Sequence, residues 1–239
     1  MNKTAFIIAL TVLASITVVN GQSSSPSAPV KRTDVYSVTF IHAAPGKASA
    51  LEEAGRKATG TGPTAGHALI LRHECGSPWD YVTISHEGAK ATVDPAGNPA
   101  GVVLRPLMDW HDDTFVNGPS WSEFAKAMDL DETTGKPKSN QAVYVISVYR
   151  PVLGQDDALE KNLSEPPAAG DLTAGSVLLQ HLEGGAWRFL TIVRYKNYQD
   201  YGTSEAKSVA DIPKGNSPWH KLRDVCSFHN DTIGIAVGP

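Results

Sequence analysis

The chain has 239 residues, and 21 Lys and Arg against 25 Asp and Glu give it a formal net charge of −4. This balance, without a basic run, argues against a nucleic-acid surface or an anionic-membrane surface. Two cysteines and no CxxC or HExxH spacing leave a cysteine-based zinc site without support, so no metal site is predicted.

The first 21 residues have the pattern of an export signal. Lys3 precedes an apolar stretch at 5–19 that is too short to span a bilayer comfortably, and small or modest side chains follow up to Gly21. We expect cleavage near Gly21, a disordered Ser/Pro-rich lead-in at 22–33, and a periplasmic or secreted protein with no stable membrane insertion after cleavage. A tethered N-terminal anchor is the alternative.

The two cysteines, Cys75 and Cys226, would then enter an oxidising compartment, where one disulfide is compatible with the sequence. The spacing leaves open whether they pair.

The chain repeats itself. At an offset of 108, residues 35–52 align with 143–160, and two further alignments follow in the same order: 65–84 with 174–192, with one gap in the turn, and 104–115 with 222–233. We interpret this order as a tandem duplication. Its parts are a first repeat at 34–129 with an extra C-terminal helix, a linker at 130–141, and a second repeat at 142–239.

Each half is predicted as β-α-β-β-α-β. Alternating apolar residues predict first strands at 35–41 and 143–149, and helical spacing follows at Ser49–Lys57 and Asp156–Leu163. Hairpins are predicted at 67–74 with 79–86 and at 176–183 with 187–195. The remaining elements are second helices at about 101–110 and 217–228, closing strands at Asp113–Val116 and Asp231–Val237, and additional helical segments within 121–129 and 197–216.

This order is the split βαβ, ferredoxin-like unit, whose antiparallel sheet carries helices on one face only. Made twice, over about 35–237, it resembles the dimeric α/β-barrel superfamily in a form in which one chain supplies both halves. The resemblance implies an α+β fold in which two ferredoxin-like sheets face each other as a pseudo-dimeric barrel, compatible with a monomer. Members include monooxygenases, haem-dependent and haem-degrading enzymes, cyclases, isomerases and proteins without known activity.

Hairpin register suggests which residues would line a cavity between the sheets. Pairing Glu74 with Trp79 and Glu183 with Trp187 puts polar and aromatic side chains on one face of both hairpins. The candidate lining of an inter-sheet cavity is Ser37, Thr39, Arg72, Tyr81, Thr83, Ser147, Tyr149, His181 and Thr191. The opposite, aliphatic face is expected to pack under the helices through Val82, Ile84, Leu190 and Ile192. A hydrogen-bonded core without a ligand is the alternative.

A His-x-Asp-Thr peptide occurs in both halves. We interpret His111, Asp113, His229 and Asp231 as structural helix–strand joints, since a joint that is made twice needs the same residues twice. Proton transfer or metal binding by the His–Asp pairs is the alternative. Tyr195, Tyr198 and Tyr201 either rim a pocket or pack an extra turn against the sheet.

These features predict an exported protein that binds or transforms a small, partly aromatic molecule between its sheets. The alternative is a non-catalytic structural or interaction module with a filled interior, and several hundred cubic ångströms between the sheets would separate the two. A haem-dependent enzyme with His181, His220 or His229 as axial ligand is a third hypothesis. The sequence identifies neither a cofactor nor catalytic residues.

Overall fold

The computed structural model describes residues 31–59, 64–90, 104–183 and 186–238. The predicted export signal at 1–21 lies outside the described residues, as do 22–30 of the lead-in and 101–103 of one predicted helix. Within the described ranges, no helix combines the length and the apolar character that a membrane crossing requires.

The two halves contain matching strands. The first half consists of β1 (Asp34–Ala43), α1 (Ala48–Thr59), β2 (Ala68–Cys75), β3 (Tyr81–Ala89), a 3₁₀ turn (Arg105–Leu107), β4 (Met108–Gly118) and α2 (Trp121–Met128). The second consists of β5 (Val143–Pro151), α3 (Asp156–Leu163), β6 (Thr173–Glu183), β7 (Phe189–Tyr195), α4 (Tyr198–Asp211), a 3₁₀ turn (Ile212–Lys214), α5 (Pro218–Val225) and β8 (Cys226–Gly238).

The eight strands of the described residues form one closed antiparallel barrel in the order β1-β3-β2-β8-β5-β7-β6-β4. Within this circle, the first half has the order β4-β1-β3-β2 and the second has β8-β5-β7-β6, so the two halves have the same topology. The β2–β8 and β4–β6 ladders join them and remove every free sheet edge. The predicted fold of two facing ferredoxin-like units is confirmed.

Equivalent residues of the two halves lie at the same end of the barrel. Because every neighbouring pair is antiparallel, β1 and β5 run in the same direction. His111 pairs with Ile41 of β1, and His229 pairs with Tyr149 of β5. The predicted equivalence of the two His-x-Asp-Thr peptides therefore holds in three dimensions.

The barrel interior is filled by apolar side chains. One continuous buried cluster includes residues from both halves, among them Val38, Leu71, Ile84, Tyr144, Leu179 and Ile192. Each of these is at most 2 % exposed. Since successive strand residues point to opposite faces, the intervening residues point outward.

Helix α2 covers one end of the barrel. The Tyr36 hydroxyl donates to the Pro119 carbonyl (2.8 Å), and the Tyr144 hydroxyl donates to the Met128 carbonyl (3.2 Å). Phe124 and Met128 of α2 are fully buried in the interior cluster. The other helices lie outside: Leu51 of α1 packs on the outer face of the first half, and α3 and α5 pack on that of the second.

The second helix of each half ends earlier than predicted. β4 begins at Met108 and β8 at Cys226, so the two His-x-Asp-Thr peptides lie inside strands. The interpretation of His111, Asp113, His229 and Asp231 as helix–strand joints is therefore wrong. The strands extend because β1 pairs with β4 as far as Ala43 and β5 pairs with β8 as far as Pro151, which gives these backbone groups their partners.

Both cysteines are free. Cys75 is exposed at the end of β2, whereas Cys226 is buried at the start of β8. The thiol of Cys226 donates to the carbonyl of Phe228.

Candidate functional site

The predicted inward and outward faces of the sheets are reversed. Val82, Ile84, Leu190 and Ile192, expected under the helices, belong to the barrel interior. Eight of the predicted cavity residues point outward instead: Ser37, Thr39, Arg72, Tyr81, Thr83, Ser147, Tyr149 and Thr191. The aliphatic row takes the interior because that space excludes water from every strand, whereas the outer face leaves some positions exposed.

Contacts in the first half confirm the outward direction. The hairpin register is as predicted, with Arg72 opposite Tyr81. The Tyr81 hydroxyl donates to the Ala48 carbonyl (3.2 Å) of α1, which lies outside the barrel. Arg72 is exposed and pairs with Glu74 at 3.0 Å.

The register of the second hairpin differs from the prediction by one residue. Gln180, not His181, lies opposite Phe189, so the paired residues of the two hairpins correspond at a constant offset of 108 and the turn contains no gap. His181 consequently points toward the interior. There its Nδ1 lies 2.7 Å from the Trp187 carbonyl oxygen, and the centroids of the His181 and Trp187 rings are 4.9 Å apart. Arg72 and His181 thus lie on opposite faces and do not form one site.

The His–Asp pairs form between neighbours on the outer strand faces. Nδ1 of His111 is 2.7 Å from Oδ2 of Asp113, and Nε2 of His229 is 3.4 Å from Oδ2 of Asp231. Both aspartates are about half exposed. The described residues contain no group of three or more metal-ligating side chains.

A cavity of about 580 Å³ lies over the outer face of β6 and β7 in the second half. This volume is within the range typical of ligand sites. Its walls come from the strands, from α2, and from the segment after α3; the lining includes Glu123, Leu163, Leu178, Thr191, Val193 and Tyr195. Thr191 is the residue of the predicted site that lines it.

The floor of the cavity combines apolar and neutral polar groups. Thr191 donates to the Tyr149 hydroxyl (3.4 Å), and Leu178 packs in the cluster beneath α3. Burial raises the pKa of Tyr195, so its hydroxyl stays protonated at neutral pH. Tyr201 packs edge-on against it at 5.5 Å, so within the predicted tyrosine cluster Tyr195 lines the pocket and Tyr201 supports it.

Charged groups lie at the cavity rim. Hydrogen bonds from Ser120 lower the pKa of Glu123, which remains ionised. Asp171 accepts hydrogen bonds from the backbone N–H and the hydroxyl of Thr173 (2.8 and 2.7 Å). Lys31 also lines the cavity, and the next residue, Arg32, joins the N-terminal segment to α3 through Glu160 at 2.7 Å.

Two solved structures have the same fold. An anthrone oxidase-like protein matches with a TM-score of 0.52 and 13% identity, over 87% of this chain and 92% of that chain. A proposed monooxygenase from Fusobacterium nucleatum subsp. nucleatum matches with a TM-score of 0.50 and 9% identity, over 87% and 94%.

The chain has the dimeric α/β-barrel fold. No family model matches the sequence of this barrel, and no curated protein has a significant sequence match. At 13% identity, the structural likeness establishes the fold alone.

The three histidines considered as haem ligands do not line the cavity over the outer face of β6 and β7. His181 contacts Trp187 in the interior, and Nδ1 of His220 lies 2.9 Å from the Ser217 hydroxyl. His229 is stacked on Tyr149 at 6.1 Å. None of the three lines the cavity over β6 and β7.

Sequence reasoning missed most of the cavity. Its walls come from segments distant in the chain: Lys31 before β1, Glu123 of α2, and Leu163 to Pro167 after α3. The usable signal was the helical segment at 121–129 itself, which lies outside the three aligned pairs of segments. Such an addition marks where the two halves of the barrel differ.

Proposed function

We propose that this barrel binds a small, partly aromatic molecule over the outer face of β6 and β7. The cavity of about 580 Å³ is the observation that carries the proposal. Apolar side chains at Leu178 and Val193 suit an aromatic body, and neutral hydroxyls at Thr191 and Tyr195 suit a phenol or carbonyl group.

The apolar side chains that fill the interior argue against a ligand between the sheets. It fits the alternative of a structural module with a packed barrel, but that alternative leaves the outer cavity without a purpose. The names of the two structural neighbours concern small-molecule oxidation, which is in keeping with binding. Tyr195 stays protonated and Glu123 ionised, so neither titrates near neutrality as an acid–base catalyst should. These properties favour binding as the proposed role.

Closing the cavity tests the proposal. Val193→Trp would fill the space above the sheet, and we expect it to weaken binding of 2-naphthol by about tenfold or more, as measured by isothermal titration calorimetry, because the added indole occupies the volume of the ligand.

Ser85→Trp is the matched control, since Ser85 holds the corresponding half-buried outward position on β3 of the first half. Equal affinities for both variants and the unchanged protein would place the ligand elsewhere, and absence of binding to the unchanged protein would count against the proposal.

We also propose that the protein is exported. The support is the apolar stretch at 5–19 followed by Gly21. Mass spectrometry of the protein from the periplasm or culture medium should find a mature N-terminus at about Gln22, and an intact Met1 would contradict cleavage.

A further inference from the structure

A row of buried polar and aromatic side chains lies where α2 meets the barrel. Oδ2 of Asp34 is 2.7 Å from Nε2 of His86, and Nδ1 of His86 is 3.2 Å from Nδ1 of His67. The backbone N–H of Trp121 donates to the same Asp34 oxygen (3.2 Å), and the rings of His67 and Trp121 are stacked at 4.6 Å. Asp34 and His86 are 8 % and 7 % exposed.

The two facing Nδ1 atoms can hold one proton between them. If His86 donates from Nε2 to Asp34 and is neutral, its Nδ1 accepts from His67; if His86 is charged, its Nδ1 donates to His67. Either arrangement keeps the bond. Full protonation of both rings would place two N–H groups against each other and two cations in contact, so the bond would break.

The geometry fits a shared proton. The ring centroids of His67 and His86 are 5.4 Å apart and their planes differ by 30°, so with Nδ1 atoms 3.2 Å apart each nitrogen points nearly along the line between the rings. Lone pairs that converge on one metal ion would point well away from that line.

This row anchors the start of α2, which also forms a wall of the cavity. Trp121 is the first residue of α2, and its indole N–H donates to the Glu132 carbonyl (2.7 Å) in the segment that follows the helix. Glu123 and Ala127 of the same helix line the cavity. A change at His67 and His86 therefore bears on the cavity through one short helix.

We propose that His67 and His86 form a pH-sensitive latch that holds α2 on the barrel at neutral pH and releases it in acid, together with the cavity ligand. The latch stands on the contacts above, whereas its effect on the ligand rests on the proposed function.

The charged groups around the latch determine whether it holds α2 at high or at low pH. Burial, and then the neighbouring His86, lower the pKa of His67, while Glu132 opposes them. Asp34 of β1 faces His86, Glu123 of α2 lies near Tyr36, and Lys31 lies near Glu123.

Because the folded pKa of His67 lies below its unfolded value of about 6.5, the unfolded chain takes up its proton first as the pH falls. The contribution of His67 to stability is complete above about pH 6.5 and is lost as the pH falls through the lower, folded pKa.

Hydrogen exchange in the full chain tests the latch. We expect the protection factors of the amides in α2 to be about tenfold lower or more at about pH 5 than at about pH 7.5, because the second proton breaks the contact of His67 with His86. His86→Gln should remove this difference: its amide N–H donates to Asp34 and its oxygen accepts from His67, whatever the charge of His67.

His67→Phe is a second variant, which keeps an aromatic ring on Trp121 but cannot titrate. His220→Gln is the control, since His220 lies in α5 and bonds Ser217. The latch is overturned if protection of α2 in the unchanged protein does not depend on pH, or if His86→Gln keeps the full dependence.

The affinity for 2-naphthol, which stays neutral over this range, tests the link to the cavity. We expect it to fall at about pH 5 in the unchanged protein by about fivefold or more, and to be independent of pH in His86→Gln. Constant affinity while α2 loses protection would overturn the link. If 2-naphthol binds at neither pH, the proposed function fails, and the exchange of α2 still decides the latch.

Discussion

Gly175 allows α2 to contact β6 backbone to backbone. A Cβ atom at this position would lie 1.9 Å from the Ala127 carbonyl oxygen, near the end of α2. The same oxygen accepts a hydrogen bond from Nε of the buried Arg194 (3.0 Å). One residue without a side chain thus permits the close approach that positions both the end cover of the barrel and a wall of its cavity.

We expect Gly175→Ala to lower the free energy of unfolding by about 1–3 kcal/mol, because the added methyl group displaces the backbone of α2. Gly202→Ala in α4 is the control, since nothing lies within 4 Å of the added atom, and it should be neutral or stabilising. Chemical denaturation measures both, and an equally stable Gly175→Ala variant would show that α2 shifts without cost.

The pKa values of two histidines, His42 and His67, should be shifted in opposite directions from the ordinary value. A hydrogen bond from His42 to Asp109, with Nδ1 2.6 Å from Oδ1, raises the pKa of His42, whereas burial lowers the pKa of His67. NMR titration of the ring protons should therefore find His42 above and His67 below the ordinary value of about 6.5. Asp109→Asn should return His42 toward it and leave His67 unchanged; a common midpoint would contradict both assignments.

The stabilising contributions of these histidines consequently have opposite pH dependence. That of His42 is complete below its unfolded pKa and is lost as the pH rises through the raised folded value. That of His67 is lost as the pH falls.

At the scale of elements, α2 is short but well terminated. Its eight residues begin at a capping box, in which the Ser120 hydroxyl accepts from the Glu123 N–H and the Glu123 carboxylate accepts from the Ser120 N–H. It ends at Asp129 in the left-handed conformation, with φ 58°. Local signals in the sequence therefore define this helix at both ends, while its position depends on the barrel.

Ser120→Ala should reduce stability by about 1 kcal/mol, because a helix N–H loses its acceptor. Thermal melting checks this value. Gln155→Ala at the start of α3 is the control, since the Gln155 side chain makes no capping bond, and it should melt with the unchanged protein. Equal melting temperatures for all three proteins would mean that packing alone defines the start of α2.

For the whole molecule, the interior belongs to both halves at once. The buried cluster joins Ile84 and Leu71 of the first sheet to Ile192 and Leu179 of the second. The interior face of each sheet is covered only by the other sheet and α2 in the described structure. Each half without the other would also have two unpaired edge strands. Cooperative folding of the complete chain follows.

Fragments 31–129 and 130–239 should therefore fail to fold as separate monomers, since each would expose an apolar sheet face. Circular dichroism with size-exclusion chromatography should show unfolded or self-associated fragments, and mixing them should restore a monomeric complex with a cooperative melt. A monomeric fragment with its own cooperative transition would contradict this prediction.

The repeat, the order of strands and helices, and the pairing of two sheets could be predicted because they depend on local alternation, helical spacing and turn residues. The cavity could not, since residues as distant as Lys31 and Tyr195 meet there only after the barrel closes. The choice of inward face was equally out of reach. Strand alternation puts Thr191 and Ile192 on opposite faces of the sheet, but it does not determine which of the two faces the interior. That choice depends on which complete set of side chains fills the closed interior and leaves the least apolar surface exposed to water.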